Sequence, residues 1–427
     1  MSEQLISILV LVVVFVIGTV SPVHMGALAL VATFVVGYFI FGTEAYADTI
    51  YGFFPGELFI VLVGVTYLFA IAKNNGTIDW LVSAAVRASG GRLALIPWVM
   101  FAAAAALTAI GGVVPAVVAI IAPLGMAFAR RYSINPVLMG LFIINGCTAG
   151  GFSPLSIFGT ITNSIVASND LPGSPAFLWI ASIVANALAS VVVFFLFGGR
   201  KLLGSATRVS LDPTTSIAGQ TDGHPAATLD RDRSLTLIGL AVLLIGALVF
   251  GLEIGLMAIA IGVALSIIAP AGSKGVVGQI AWDTVLLICG IVTFVGLMQE
   301  IDTPGWLGNN VAQLGSPLIA ALLICYIGGI VSAFASTTGI LGALIPLAVP
   351  FLLGSNAVGA IGLITALALS SSIVDSSPFS TSGALVVANS TVGERDKVFR
   401  SLMIWGFSMV ALIPLVTWLV LVLPGWL

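Results

Sequence analysis

Residues 54–81 read FPGELFIVLVGVTYLFAIAKNNGTIDWL, and residues 280–307 read IAWDTVLLICGIVTFVGLMQEIDTPGWL. Laid over each other, they pair Glu57 with Asp283, Gly64 with Gly290, Trp80 with Trp306 and Leu81 with Leu307, each 226 positions apart. Further along, Pro123 pairs with Pro346 at an offset of 223, and Ser153-Pro154 with Ser377-Pro378 at 224. An offset that drifts so little marks 54–164 and 280–390 as two copies of one unit.

Both copies are apolar. Of 427 residues 59% are hydrophobic and 7% charged, against roughly 25% charged in a soluble domain. The chain therefore reads as a polytopic all-α membrane protein. Cys147, Cys289 and Cys325 fall inside apolar runs, so no disulfide framework or redox motif is implied. The N-terminal MSEQ lacks a basic region, so the first apolar run reads as a retained helix. Duplicated apolar halves broken by Gly and Pro at corresponding places imply a secondary transporter with its site between the repeats.

Apolar runs long enough for a bilayer of about 30 Å occur near 5–21, 26–43, 57–73, 136–165 and 176–198, then 234–251, 254–270, 283–299, 357–391 and 398–423. Each half also has two arms joined at small residues, 93–110 with 113–129 and 316–335 with 339–354. These arms are either ordinary spans or re-entrant hairpins. With five spans per half plus a hairpin, all 14 Lys and Arg fall on one face, which the positive-inside rule makes cytoplasmic. An odd span count inserts the second half upside down relative to the first. Both termini then lie outside. The expected division is a first inverted repeat at 1–199 (hairpin about 93–129, broken helix about 136–165), a cytoplasmic linker at 200–233, and a second repeat at 234–427 (hairpin about 316–354, broken helix about 357–391). The segments TIDWLVSAAVRASGG and TPGWLGNNVAQLG read as amphipathic helices along the interface or as loops anchored by Trp.

Four breaks carry the candidate chemistry: TAIGGVVPA (108–116), NGCTAGGFSPLS (145–156), SAFASTTGILG (332–342) and SSSIVDSSPFSTSG (370–383). Non-helical backbone at membrane depth persists only where protein or a water-filled cavity satisfies it. Gly permits the turn, Pro leaves a carbonyl unpaired, and Ser and Thr add oxygens for a cation. The half-helix that follows offers N–H groups to an anion. The competing reading is that small residues merely allow close helix packing. Asp375 is the one carboxylate deep in a break, and it either couples transport to Na⁺ or H⁺ or caps the half-helix after Pro378. Its counterpart is Gly151, so the two halves are not equivalent there. With no Lys or Arg in the hydrocarbon core, an anion would be held by dipoles, hydroxyls and bound cations. Candidate substrate contacts are Gly112, Val113, Asn145, Thr148, Ser153 and Ser156 from the first half, with Thr337, Ser377, Ser380 and Thr381 from the second. For Thr108, Asn163, Ser164 and Asn389, helix–helix hydrogen bonding competes with a site role.

On GGFSPLSIFGT and VDSSPFSTSGAL the chain resembles the ion transporter superfamily that includes the divalent anion:Na⁺ symporters, and most nearly the MatC-type malonate/dicarboxylate carriers. The resemblance implies two inverted repeats, each with a re-entrant hairpin and a broken helix, working as an elevator-type homodimer. In such symporters a Ser-Asn-Thr tip lies about ten residues before a Pro of each hairpin. Ser336-Thr337-Thr338 stands ten before Pro346 with the Asn missing, while the first tip, Gly111-Gly112-Val113-Val114, has lost its hydroxyls. The implied cation sites are Ser336, Thr337, Thr338, Asp375 and Ser376, and, less well formed, Thr108, Gly111, Gly112, Gly150 and Gly151.

The function expected from this reading is secondary-active import of a small dicarboxylate such as malonate, coupled to Na⁺ or H⁺, with no other cofactor and no nucleic-acid partner. Its place is a bacterial inner (plasma) membrane, with the linker cytoplasmic and both termini periplasmic. A cation/proton antiporter or oxyanion exporter on the same fold is the rival. A channel would need no alternation, and the opposed hairpins argue against a continuous pore. A hydrolase would need a base beside its nucleophile; neither His24 nor His224 falls in an apolar core and no HExxH occurs, so no enzyme is expected.

Overall fold

The computed structural model describes residues 2–42, 46–78, 80–81, 84, 92–203, 229–303, 306, 317–333, 337–348, 352 and 358–425. Helix accounts for the regular structure of these residues, with no strand among them. The first half comprises α1 (Glu3–Val20), α2 (Met25–Phe41), the short α3 (Tyr46–Gly52), α4 (Gly56–Asn74), α5 (Ile96–Ala109), α6 (Val114–Arg131), α7 (Pro136–Gly151), α8 (Ile157–Ser168), α9 (Pro175–Leu196) and the short α10 (Gly199–Leu203). The second comprises α11 (Arg231–Phe250), α12 (Ile254–Ile268), α13 (Trp282–Glu300), α14 (Pro317–Ser332), α15 (Thr337–Ala348), α16 (Ala360–Ser372), α17 (Thr381–Ala388) and α18 (Arg395–Thr417). Most of the 200–233 linker and of the two Trp-containing segments lies outside the described residues.

Six stretches among the described residues are long and apolar enough to cross a bilayer: Gly56–Asn74, Val114–Arg131, Pro175–Leu196, Trp282–Glu300, Ala360–Ala388 and Arg395–Val422. The chain is a multi-pass membrane protein. Its outward residues are largely apolar, as a lipid-facing shell requires; Val20, Phe39 and Ile267 are each more than three-quarters exposed. Of the two arms in the first half, α6 has the length of a full span and α5 is shorter.

Local sequence explains the boundaries near the centre. Pro136 occupies the first position of α7, where its missing N–H costs nothing, and Asn135 caps the helix by accepting from the Val137 N–H at 2.9 Å. The helix stops at the Gly150-Gly151 pair, with Pro154 three residues on. Every residue from Val137 to Gly151 is buried, and so are Ala360 and Gly362–Ser372 of α16. A helix apolar on all sides belongs inside its neighbours. α5, α6 and α9 surround α7, with Trp98 edge-on to Phe142 at 4.9 Å between ring centres; α14 and α18 flank α16.

The halves exchange partners. α4 packs on α12 of the second half, and α13 packs on α2 of the first. At each crossing the contact is glycine on glycine. A Cβ on Gly64 would strike the Gly255 carbonyl oxygen, and a Cβ on Gly290 would strike that of Gly26. Without lipid-excluding hydrophobic gain between helices, such close backbone approach is what holds them together. The same exchange recurs deeper in: α6 packs on α17, and α15 packs on α8.

Candidate functional site

The two serine-proline breaks are built alike. In the first, Ser156 Oγ donates to the carbonyls of Gly151 and Ser153, the latter at 2.9 Å. In the second, Ser380 Oγ donates to the carbonyls of Asp375 at 2.5 Å and Ser377 at 2.7 Å. Ser153 Oγ accepts from the Leu155 N–H at 3.1 Å, and Ser377 Oγ from the Phe379 N–H at 3.3 Å. The turn folds back so tightly that a Cβ on Gly159 would overlap the Ser153 carbonyl oxygen, and one on Gly383 the Ser377 carbonyl oxygen. These residues form one motif, Ser-Pro-x-Ser-x-x-Gly, at 153–159 and 377–383. It turns the chain, satisfies the freed carbonyls and starts a new helix within the protein interior, as burial without water requires.

The breaks differ in their tenants. Asp375 is 5% exposed, and its carboxylate Oδ2 accepts from Ser382 Oγ at 2.7 Å. Asp375 and Arg233 are the charged side chains that are buried among the described residues; Arg233 lies 3.6 Å from Asp230 beside the C-cap of α4, away from the breaks. The 3₁₀ turn Ile373–Ser376 that carries Asp375 packs against α7, so the acid sits where the two halves meet. In the first break Gly151 stands in place of Asp375 and lies against the ring of Phe158, which stands in place of Ser382.

The tips of the two arm pairs approach the breaks. Gly111, with φ of +108°, lies against Val65 and the Leu155 carbonyl. Ser153 Oγ donates to the Ala109 carbonyl at 2.6 Å, tying the end of α5 to the first break. Gly112 N–H donates to Leu107 O, and Val113 caps α6. On the other side Thr337 Oγ1 and Ser332 Oγ share a hydrogen bond of 2.8 Å, and Thr337 Oγ1 reaches the Ser371 carbonyl at 3.5 Å. Thr338 is buried beside them, and Ser336 lies outside the described residues.

Several expected contacts have their hydroxyl or amide engaged within the protein. Asn145 Nδ2 donates to Ser190 Oγ of α9 at 3.1 Å; Thr148 Oγ1 donates to Ile144 O, and its own carbonyl accepts from Ser182. Thr108 Oγ1 donates back to Ala104 O and Ala105 O within its helix, and Gly150 packs directly against that face. Ser376 Oγ donates to Ile373 O, and Asn389 Nδ2 to Leu385 O. Thr381 is exposed, while Asn163 and Ser164 are half-buried on α8.

Sequence reasoning passed over Ser382, Ser332, Ser371 and Thr162. Ser382 follows Asp375 by seven positions across a break, where no helical register predicts a contact. The Ser371 and Thr162 hydroxyls are buried and have no hydrogen-bond partner among the described residues. An unpaired buried hydroxyl costs about 1–3 kcal/mol.

Residues 1–151 match the model for the dicarboxylate carrier protein MatC N-terminus. The resemblance to the MatC-type carriers therefore holds over that stretch, which ends at the last residue of α7. No curated protein matches the chain significantly. Among solved structures it is similar to the Alcanivorax borkumensis YdaH transporter, with a TM-score of 0.59 at 14% identity over 98% of each chain. The Neisseria gonorrhoeae MtrF structure, from a class of antimetabolite efflux pumps, aligns with a TM-score of 0.47 at 14% identity over 99% of this chain and 95% of that one. The chain shares the fold of the first. It is a transport protein rather than an enzyme.

Proposed function

We propose that the chain is a secondary-active importer of a small dicarboxylate of the malonate class, coupled to Na⁺ or H⁺. The observation that carries this reading is the duplicated Ser-Pro-x-Ser-x-x-Gly turn, whose serines and glycine are buried in both halves and whose following helix is packed in each case by an arm of the other half. The match of residues 1–151 to a dicarboxylate carrier supports the substrate class. The carboxylates lie between Ser153 and Ser377 and take N–H groups from α8 and α17, whose N-termini offer the positive end of the helix dipole. The better-formed cation site uses Ser336, Thr337, Thr338, Asp375 and Ser376, with the Ser371 carbonyl 3.5 Å from Thr337 Oγ1. The first cation site, at Thr108, Gly111, Gly112, Gly150 and Gly151, relies on main-chain oxygens, since the Thr108 hydroxyl is turned into its own helix.

In this reading the halves are inverted repeats, and the arm pairs 93–129 and 316–354 are re-entrant hairpins. The fully loaded hairpin domain is close to neutral and crosses a greasy scaffold; the half-loaded one carries uncompensated charge, which makes the crossing costly. That difference couples the gradient to the substrate. The cationic loops face the cytoplasm of a bacterial cell, both termini face out, and two copies assemble. Uptake of labelled malonate into proteoliposomes, with Na⁺ replaced by K⁺ and with or without a pH gradient, tests it. Saturable uptake driven by one gradient is expected. Uptake indifferent to both would end the symport reading, and absence of malonate counterflow would end the dicarboxylate reading.

A further inference from the structure

A cavity of about 720 Å³ lies at the opposite end of α7 from the first break. The 16 residues of α7 separate the two by about 24 Å at 1.5 Å per residue. The walls come from the end of α6, the α6–α7 turn with the start of α7, the α9–α10 turn with α10, and the α17–α18 turn with the start of α18. Three cations line it, Arg130, Lys201 and Lys397, one from each of the helices α6, α10 and α18. None of them has an ion-pair partner among the described residues. One acid, Glu394, also lines the cavity, with its carboxylate accepting from Thr391 Oγ1 at 2.7 Å. The lining therefore has an excess of two positive charges.

Cationic loops are ordinary at one face of a membrane protein, so the sorting among neighbours matters. Arg131 stacks over the Tyr132 ring at 5.5 Å, and Arg200 over the Phe195 ring at 5.0 Å; neither lines the cavity. Their chain neighbours Arg130 and Lys201 line it instead. All three cations are exposed at the rim of one concavity, where they raise the local concentration of an anion. The volume falls within the range of about 300–1,000 Å³ typical of small-molecule sites and has room for a ligand larger than a three-carbon dicarboxylate.

We propose that this cavity binds a phosphate-bearing ligand, either a free phosphorylated small molecule or a lipid headgroup, through Arg130, Lys201 and Lys397. Arg suits phosphate by its forked donors, and the two Lys supply point charges. Such a ligand would tie the α6–α7, α9–α10 and α17–α18 turns together, and the site stands whether or not the chain carries dicarboxylates.

Calorimetry on the detergent-purified chain in phosphate-free buffer, with pyrophosphate as probe, tests the free ligand. Nanodiscs of phosphatidylcholine with and without phosphatidic acid, read by thermal melting, test the lipid. We expect saturable pyrophosphate binding that weakens with added salt. Arg130→Gln, Lys201→Gln and Lys397→Gln should each weaken it by about three- to tenfold, and the triple variant should abolish it. Stabilisation by phosphatidic acid that the triple variant loses, without pyrophosphate binding, assigns the lipid source. Absence of both effects, undiminished binding by the triple variant, or competitive displacement of pyrophosphate by malonate would overturn the proposal. Asp375→Asn should bind pyrophosphate as wild type does, so a failed transport reading leaves this site standing and the reverse holds too.

Discussion

The break at 151–159 and the break at 375–383 share one set of backbone-directed hydrogen bonds and differ in what lies between their ends. The second holds a carboxylate, Asp375, with the Ser382 hydroxyl donating to it. The first holds Gly151 beneath the Phe158 ring, and Phe158 packs in turn on Phe152 at 5.5 Å between ring centres. Fold and charge are therefore separable here. Ser-Pro-x-Ser-x-x-Gly makes the turn in both halves, and the acid–hydroxyl pair is an addition made in one. The same holds at the tips, where Thr337 and Ser332 pair on one side and glycine with main chain serves on the other.

The largest expected effect tests the shared part. Gly159→Ala and Gly383→Ala each drive a methyl into a carbonyl oxygen, and each should cost about 3 kcal/mol in thermal or denaturant unfolding, the upper range for overpacking. A large cost in one and none in the other would break the equivalence. Next comes the part that differs. Gly151→Asp places an unpaired carboxylate under a phenyl ring and should cost about 2.5 kcal/mol, the lower end of the insertion penalty of a mid-membrane acid. Adding Phe158→Ser, which supplies the missing hydroxyl, should recover part of that loss in the same melt.

Asp375→Asn should leave the protein folded but weaken or abolish the cation dependence of uptake, with a shift of at least tenfold in apparent cation affinity, about 1.4 kcal/mol. An unchanged cation response would reduce Asp375 to an acceptor for Ser382. Ser156→Ala and Ser380→Ala each remove a hydroxyl that donates to two break carbonyls, and matching losses of about 1 kcal/mol in stability are expected. The smallest effect belongs to the helix ties outside the breaks. Double-mutant cycles on Asn145–Ser190 and on Ser370–Thr417 should each return a coupling of about 0.6 kcal/mol. A coupling several times larger at Asn145 would point to a role beyond packing.

Much of this was legible in the chain because membrane insertion makes local composition decisive. The breaks at 145–156 and 370–383 were visible as Gly, Pro and Ser inside apolar runs, and the helices stop and restart there. Asp375 was visible as a lone acid. The destinations of the hydroxyls were not visible. Their place in a break points Asn145 and Ser153 toward a ligand, yet Asn145 Nδ2 donates to Ser190 on α9 and Ser153 Oγ to Ala109 O at the end of α5, over 40 residues away in each case. Ser382 went unnoticed because its register to Asp375 depends on how sharply the chain turns at Pro378. The α6–α17 and α15–α8 contacts that enclose the breaks had no sequence signal beyond the repeat itself.

The sequence alone determined that the chain is helical and membrane-spanning, where its helices are interrupted, and that the Ser-Pro-x-Ser-x-x-Gly motif occurs twice. Hydropathy and Gly-Pro chemistry act over a few neighbouring residues, so they can be read without a fold. The tertiary structure decided which half covers which break, which carbonyl takes each serine proton and which cations converge on the cavity beside α7. Those outcomes depend on distances between segments far apart in the chain, and close packing of bulky helices, rather than any local preference, sets them.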